Sequence, residues 1–276
     1  MLRAALVQLT SSDDPAANLP ITEAFVRQAA AGGATLIATP EVTNCVSLSR
    51  KRQEEMLRTE ADDPTLARLR EVAAELDITL LIGSLAVKND NESRFSNRSI
   101  LIGPDGAIRA TYDKIHMFDA AVDAENTYRE SKGYRPGEAA VTVEAAGATL
   151  GMTVCYDMRF PPLYTQLAEA GAQILTVPSA FTVPTGRAHW EVLLRARAIE
   201  TGCFVLAPAQ CGTHGGSGRK TWGHSLAISP WGEVLADGGE APGVTFVDLD
   251  LDAVAKARRA IPALANRRAF RPPSRA

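Results

Sequence analysis

The 276-residue sequence has little cysteine, no long apolar run and almost no net charge, and each shortage excludes something. Its four cysteines (Cys45, Cys155, Cys203 and Cys211) are scattered and form no Cys-x-x-Cys pair. That is too few for a disulfide framework at this length. A reduced, cytoplasmic setting is therefore expected, with each cysteine either core filler or a reactive thiol. No apolar run approaches the roughly 20 residues that span a bilayer. The apolar start, Met1–Thr10, is too short for a signal-peptide core and lacks a cleavage site after it, so it reads as a buried strand. With 29 Lys and Arg against 32 Asp and Glu the formal net charge is −3, so charge gives no reason to expect nucleic acid or a membrane as a partner. The rest of the composition, 46% hydrophobic and 22% charged, is that of a globular chain able to bury a full core.

Short apolar runs alternate with helical patterns. Strands are predicted at Ala4–Leu9, Thr35–Thr39 and Ile78–Ile82, with helices over Asn18–Ala31 and Pro64–Leu76 between them. A hairpin follows, Asn97–Ile102 and Ala107–Tyr112 around a Pro104-Asp105-Gly106 turn. Further strands are read at 141–143, 148–154, 174–177, 204–207, 224–228, 234–236 and 244–248, with a helix over Ala188–Glu200. Tight turns join many of these strands, which favours a mixed sheet or two packed sheets with outer helices over a doubly wound parallel sheet. Without a linker, repeat or low-complexity block, one domain over residues 1–276 is expected. Its residues 251–276 would form a C-terminal helix and a tail with seven Lys and Arg from Lys256 to Arg275 and no acid.

Several motif matches fail on inspection. Around Gly215–Lys220, Arg219 stands where a nucleophile elbow and a phosphate-binding loop each need glycine. Cys211 and His214 could supply two metal ligands, the basis of a competing reading as a metal-dependent amidohydrolase, but they lack a second close pair. A flexible loop over Gly212–Arg219 is expected instead.

Cys155 is different, because it lies between the predicted strand ending at Val154 and the Pro161-Pro162 entry to a helix. A thiol at such a turn has free backbone N–H groups beside it that can hold an oxyanion. Position alone leaves a plain core cysteine equally open. Glu41 and Lys114 also follow predicted strands, and three strand ends could bring a carboxylate, an ammonium and a thiol to one rim.

Thr39-Pro40-Glu41, Tyr112-Asp113-Lys114-Ile115-His116 and Val154-Cys155-Tyr156-Asp157-Met158-Arg159-Phe160-Pro161 resemble, in order, the three blocks of the nitrilase superfamily of carbon–nitrogen hydrolases. Tyr128-Arg129-Glu130-Ser131 is similar to the segment carrying that family's additional active-site Glu. Pro178–Phe181, Ala188–Glu191, Arg195–Glu200, Trp222–Ser225 and Pro230–Gly232 are similar to its later blocks. The resemblance covers nearly the whole chain. Two departures, Thr39 in place of an aromatic and Pro162 in place of an acid, sit beside the triad and bear on substrate detail.

The resemblance implies an α-β-β-α sandwich and a Glu41–Lys114–Cys155 triad working through a covalent thioester, with Glu130 as a second carboxylate. No metal or organic cofactor is then required. Tyr156, through its backbone N–H, is the expected oxyanion donor, and Phe181 lies in a block expected to face substrate. The substrate class implied is the ω-amide of a small 2-oxo acid, and the run from Pro178 to Gly232 looks most like the branch acting on deaminated glutathione. Its two carboxylates would be met by Arg159 at the oxo-acid end and by Arg219 and Lys220 at the far end. Alternatives are an omega-amidase cleaving 2-oxoglutaramate or 2-oxosuccinamate, another small-amide hydrolase, and a non-catalytic interaction module. A homodimer or higher even oligomer is expected, with a helix from about Arg187, carrying Trp190, Glu191, Arg195, Arg197 and Glu200, as an interface or core element.

Overall fold

Strands whose successive residues are all apolar must be covered on both faces. The computed structural model of the chain, which describes residues 1–121 and 127–273, covers them with two sheets and two layers of helices. Leu2–Gln8 directs Ala4 and Leu6 into one core and Ala5 and Val7 into another. The first core joins both sheets to the helices Pro161–Glu169 and Val183–Thr201. The second lies under the helices Pro15–Ala31 and Pro64–Leu76. Each of those two helices starts with proline behind a capping aspartate: Asp14 accepts from Ala16 N–H at 3.0 Å and Asp63 from Leu66 N–H at 2.9 Å. The outcome is the expected α-β-β-α sandwich.

The first sheet runs in the order Gly243–Leu249, Leu2–Gln8, Leu36–Ala38, Thr79–Asn89, Glu92–Ile102, Ile108–Asp113. The second runs Val234–Asp237, Leu226–Ile228, Phe204–Ala207, Ile174–Thr176, Ala148–Met152, Val141–Ala145. In both, three central strands are parallel and the flanking ones antiparallel. The hairpin predicted around Pro104-Asp105-Gly106 forms, pairing Ile102 with Ile108 and Leu101 with Ala110.

Several elements differ from the sequence reading. The strand expected to stop at Ile82 continues to Asn89, because Gly83 and Ser84 interrupt its apolar pattern at a register shift without ending it. Arg50–Met56 is a helix that periodicity could not reveal, since only Gln53 on it is buried. The helix expected from about Arg187 begins at Val183, with Pro184 in its first turn. Gly212–Arg219 falls on a short hairpin that the sequence did not suggest: Cys211–Thr213 pairs with Lys220–Trp222, residues 214–219 form the loop between them, and His214 is buried. At the C-terminus Asp252–Ala260 is helical, and Arg258 donates to the Thr201 and Ala172 carbonyls at 3.0 and 2.7 Å. That cation is structural rather than solvated; Arg275 lies outside the described residues.

Candidate active site

Glu41, Lys114 and Cys155 each follow the C-terminal end of a strand, two from the first sheet and one from the second. Gly83 lets those ends meet. A Cβ there would stand 1.9 Å from the Thr39 carbonyl and 2.3 Å from Pro178 Cβ, so only glycine lets the Pro40 and Pro178 segments close on each other. Pro178 in turn accepts the Cys155 N–H at 2.9 Å. The backbone is strained on both sides of the site: Cys155 has φ +49° and Val42, next to Glu41, has φ +46°, a region that β-branched residues avoid.

The three side chains converge. Lys114 Nζ donates to Glu41 Oε1 at 2.8 Å and to Glu130 Oε1 and Oε2 at 3.0 and 2.9 Å, with Lys114 only 2% exposed. Its three N–H groups are thus all engaged. Glu41 Oε2 accepts from Ala180 N–H at 2.8 Å. Burial opposes charge on Glu41, yet the Lys114 ammonium outweighs it and holds the carboxyl below its usual range. Burial likewise opposes charge on Lys114, but Glu130 and Glu41 keep it firmly an ammonium. The Cys155 thiol is pushed well up, first by burial and then by the Glu41 charge. At rest this is an ionised carboxylate beside a neutral thiol, the arrangement in which Glu41 can accept the thiol proton as sulfur attacks.

These residues line a cavity of about 540 Å³. Tyr156, Arg159, Phe181, Glu130 and Arg219 line it too, whereas Lys220 is exposed on its strand and absent from the lining. Among the described residues nothing accepts the Tyr156 N–H. Arg159 lies 5.8 Å from the Tyr156 ring centre and 5.5 Å from that of Phe181. Arg219 turns back toward Cys155, donating from Nη2 to the Ala180 carbonyl at 2.6 Å, while its Nε is buried with no partner among the described residues.

Sequence reasoning missed two residues. Asn97 donates to Glu41 Oε1 at 2.9 Å and to Glu130 Oε1 at 3.3 Å. Asp157, fully buried, accepts from Tyr112 OH at 2.7 Å, Val154 N–H at 2.9 Å and His116 N–H at 3.0 Å, and meets His116 Nδ1 at 2.7 Å. It therefore ties residues on both sides of Lys114 to the turn that carries Cys155. Its spacing, two residues after Cys155, was a signal that could have been used; Asn97 sits mid-strand and gave none.

Cys211 and His214 play another part. His214 Nδ1 donates to the Ser11 carbonyl at 2.7 Å and Nε2 meets Thr221 Oγ1 at 2.8 Å, so both ring nitrogens are occupied within the fold. Burial, first among the causes, lowers its pKa to about 4. Cys211 Sγ lies 3.3 Å from Thr10 Oγ1. Among the described residues no three His, Cys, Asp or Glu side chains are grouped to hold a metal. Trp190 and Arg197 are core rather than surface: Trp190 Nε1 donates to the His224 carbonyl at 2.7 Å, and Arg197 Nε to the Met158 carbonyl at 2.8 Å.

The carbon–nitrogen hydrolase family model matches residues 3–259. The chain is 37% identical over 270 residues to a deaminated glutathione amidase of Yersinia enterocolitica, covering 96% of this chain and 92% of the relative. It is 35% identical over 266 residues to a human omega-amidase, covering 96% and 95%. The crystal structure of the C. elegans NitFhit protein superposes with a TM-score of 0.90 at 34% identity, covering 97% of this chain. The match spans 65% of the NitFhit chain.

Proposed function

The chain belongs to the carbon–nitrogen hydrolase family, and within it we propose a thiol amidase that cleaves the ω-amide of a small 2-oxo acid, deaminated glutathione first among them. The observation that carries this reading is the buried Glu41–Lys114–Glu130 cluster beside Cys155, in a cavity whose other charged walls, among the described residues, are cations. Glu41 takes the thiol proton as Sγ attacks the amide carbon. The oxyanion that forms is met by the Tyr156 N–H and by Lys114, which gives up one of its two Glu130 contacts to receive it. Glu41 returns the proton to the departing amine, leaving a thioester on Cys155, and then activates the water that hydrolyses it. Glu130 holds the ammonium in place throughout.

Arg50, Arg129, Lys132, Arg159 and Arg219 all line the cavity, whereas its two carboxylates are engaged by Lys114. A dianionic amide suits such walls. The relative at 35% identity supports the second reading, omega-amidase. The test is to compare kcat/KM for deaminated glutathione with that for 2-oxoglutaramate and 2-oxosuccinamate. A preference for the first is expected, and a preference for the short amides would move the assignment to omega-amidase.

The finer expectations stand as parts of the same proposal. One hydrolase domain spans residues 1–276, with 251–276 as its terminal helix and tail. Among the described residues no helix is long and apolar enough to cross a membrane, and the four free thiols suit a reducing cytoplasm. For the homodimer, the supporting feature is an exposed apolar strip of Val192, Ile199, Trp231 and Ile261, the last three lining a second hollow of about 330 Å³.

A further inference from the structure

We propose that Asn97 is a positioning residue that divides the work of Glu41 between its two oxygens, holding Oε1 so that Oε2 alone faces the Cys155 proton. The inference rests on Glu41 being the base of the proposed reaction. Glu41 Oε1 receives two donors, Lys114 Nζ at 2.8 Å and Asn97 Nδ2 at 2.9 Å, which fill its two lone-pair directions. Oε2 receives one, the Ala180 N–H at 2.8 Å, and keeps one lone pair open. The proton of the thiol can only go there.

Asn97 is built for this task. It is 2% exposed on the Glu92–Ile102 strand, and its backbone carbonyl accepts the Lys114 N–H at 3.0 Å. Main chain and side chain thus register the lysine and its two carboxylates against one residue. Its two amide hydrogens reach one oxygen each of Glu41 and Glu130. Among the described residues, the amide oxygen at the other end is buried with no partner. A purely structural asparagine would satisfy both ends, and rotating this one would aim its oxygen at two carboxylates. The residue type also fits. Lys114 and, more weakly, Arg219 already lower the Glu41 carboxyl, and a further cation at this position would weaken the base that the reaction needs, whereas a neutral donor orients it and leaves it basic.

Asn97→Ala and Asn97→Leu test the proposal, the second keeping volume while removing the unpartnered oxygen. Both should lower kcat by about 10-fold or more with KM changed less than about threefold, and both should move the acid limb of the pH profile upward, because ionised Glu41 loses a donor. Alkylation of Cys155 by iodoacetamide, followed against pH, reads the same proton transfer without amide turnover and should shift in parallel. Acid limbs equal to wild type in a folded variant, by both measurements, would overturn the assignment. If wild type cleaves no amide yet the alkylation limb still moves in the variants, the role of Asn97 stands and the substrate reading falls.

Discussion

Arg219 and Lys220 are adjacent, and the sequence suggests that they act together on the far carboxylate of a long substrate. Their surroundings separate them. Arg219 donates to the carbonyl of Ala180, whose N–H holds Glu41 Oε2, and its charge helps to keep Glu41 ionised. Lys220 is exposed and outside the cavity lining. Arg219→Gln removes a charge-assisted hydrogen bond beside the base, worth about 1.5–3 kcal/mol, which corresponds to a loss of roughly 10- to 150-fold in kcat/KM. Because the contact lies next to the triad, the loss should appear with 2-oxoglutaramate as well as with deaminated glutathione. Lys220→Gln should change kcat/KM less than about twofold on either, as exposed charges do. Steady-state kinetics of both variants on both substrates is the assay. A Lys220→Gln loss equal to that of Arg219→Gln, or an Arg219→Gln loss confined to the longer substrate, would refute this placement.

Cys155→Ala should fold normally and lose several decades of turnover, and stoichiometric alkylation should map to Cys155 rather than Cys45, Cys203 or Cys211, which peptide mapping will read. Gly83→Ala should cost more than about 3 kcal/mol, because the new methyl meets Thr39 and Pro178 backbone and ring atoms that cannot retreat; a denaturation midpoint near that of wild type would contradict it. His214 is neutral in the fold with a pKa of about 4 against 6.5 when exposed. Its contribution, on the order of 3 kcal/mol, is complete above about pH 6.5 and is lost as pH falls toward 4. Urea melts at pH 7 and pH 4.5 should show the loss in wild type and a shallower one in His214→Gln. Sedimentation at micromolar concentration should give a dimer, and Trp231→Lys should shift it toward monomer; a monomeric wild type would sink the dimer proposal.

The sequence carried most of the sandwich because both-face burial writes itself as unbroken apolar runs, as in Leu2–Gln8, and because Gly32 and Pro64 mark helix ends. It hid what tertiary contact alone creates. Arg50–Met56 has no apolar face, and its Arg50 is anchored to the Gly133 carbonyl 83 residues away. Gly212–Arg219 is glycine-rich enough to read as a loop, yet His214 pins it to Ser11. The convergence of Glu41, Lys114 and Cys155 was legible as motif blocks, each just past a strand. Their supports were not. Ala180 acts through its backbone N–H, Asn97 sits mid-strand, and Gly83 acts by having no side chain. The departure at Thr39 also gains a meaning. Its Oγ1 accepts from Gly83 N–H at 3.1 Å and from Thr43 Oγ1 at 2.8 Å, which fixes the turn into Pro40.

The charge balance of the site argues for one order of events. With Lys114 ionised and both Glu41 and Glu130 as carboxylates, the cluster carries one excess negative charge before any reaction, and a thiolate on Cys155 would double it. Burial makes that second charge costly, and of the groups acting on the sulfur only Lys114, already shared, and the Ala180 N–H favour it. Sulfur therefore has to lose its proton as it bonds to carbon, not before, so that the negative charge appears on the amide oxygen within reach of the Tyr156 N–H. Of the four buried thiols, the proposed function makes Cys155 the nucleophile, because its proton has Glu41 to go to and its turn offers the Tyr156 N–H to the developing oxyanion.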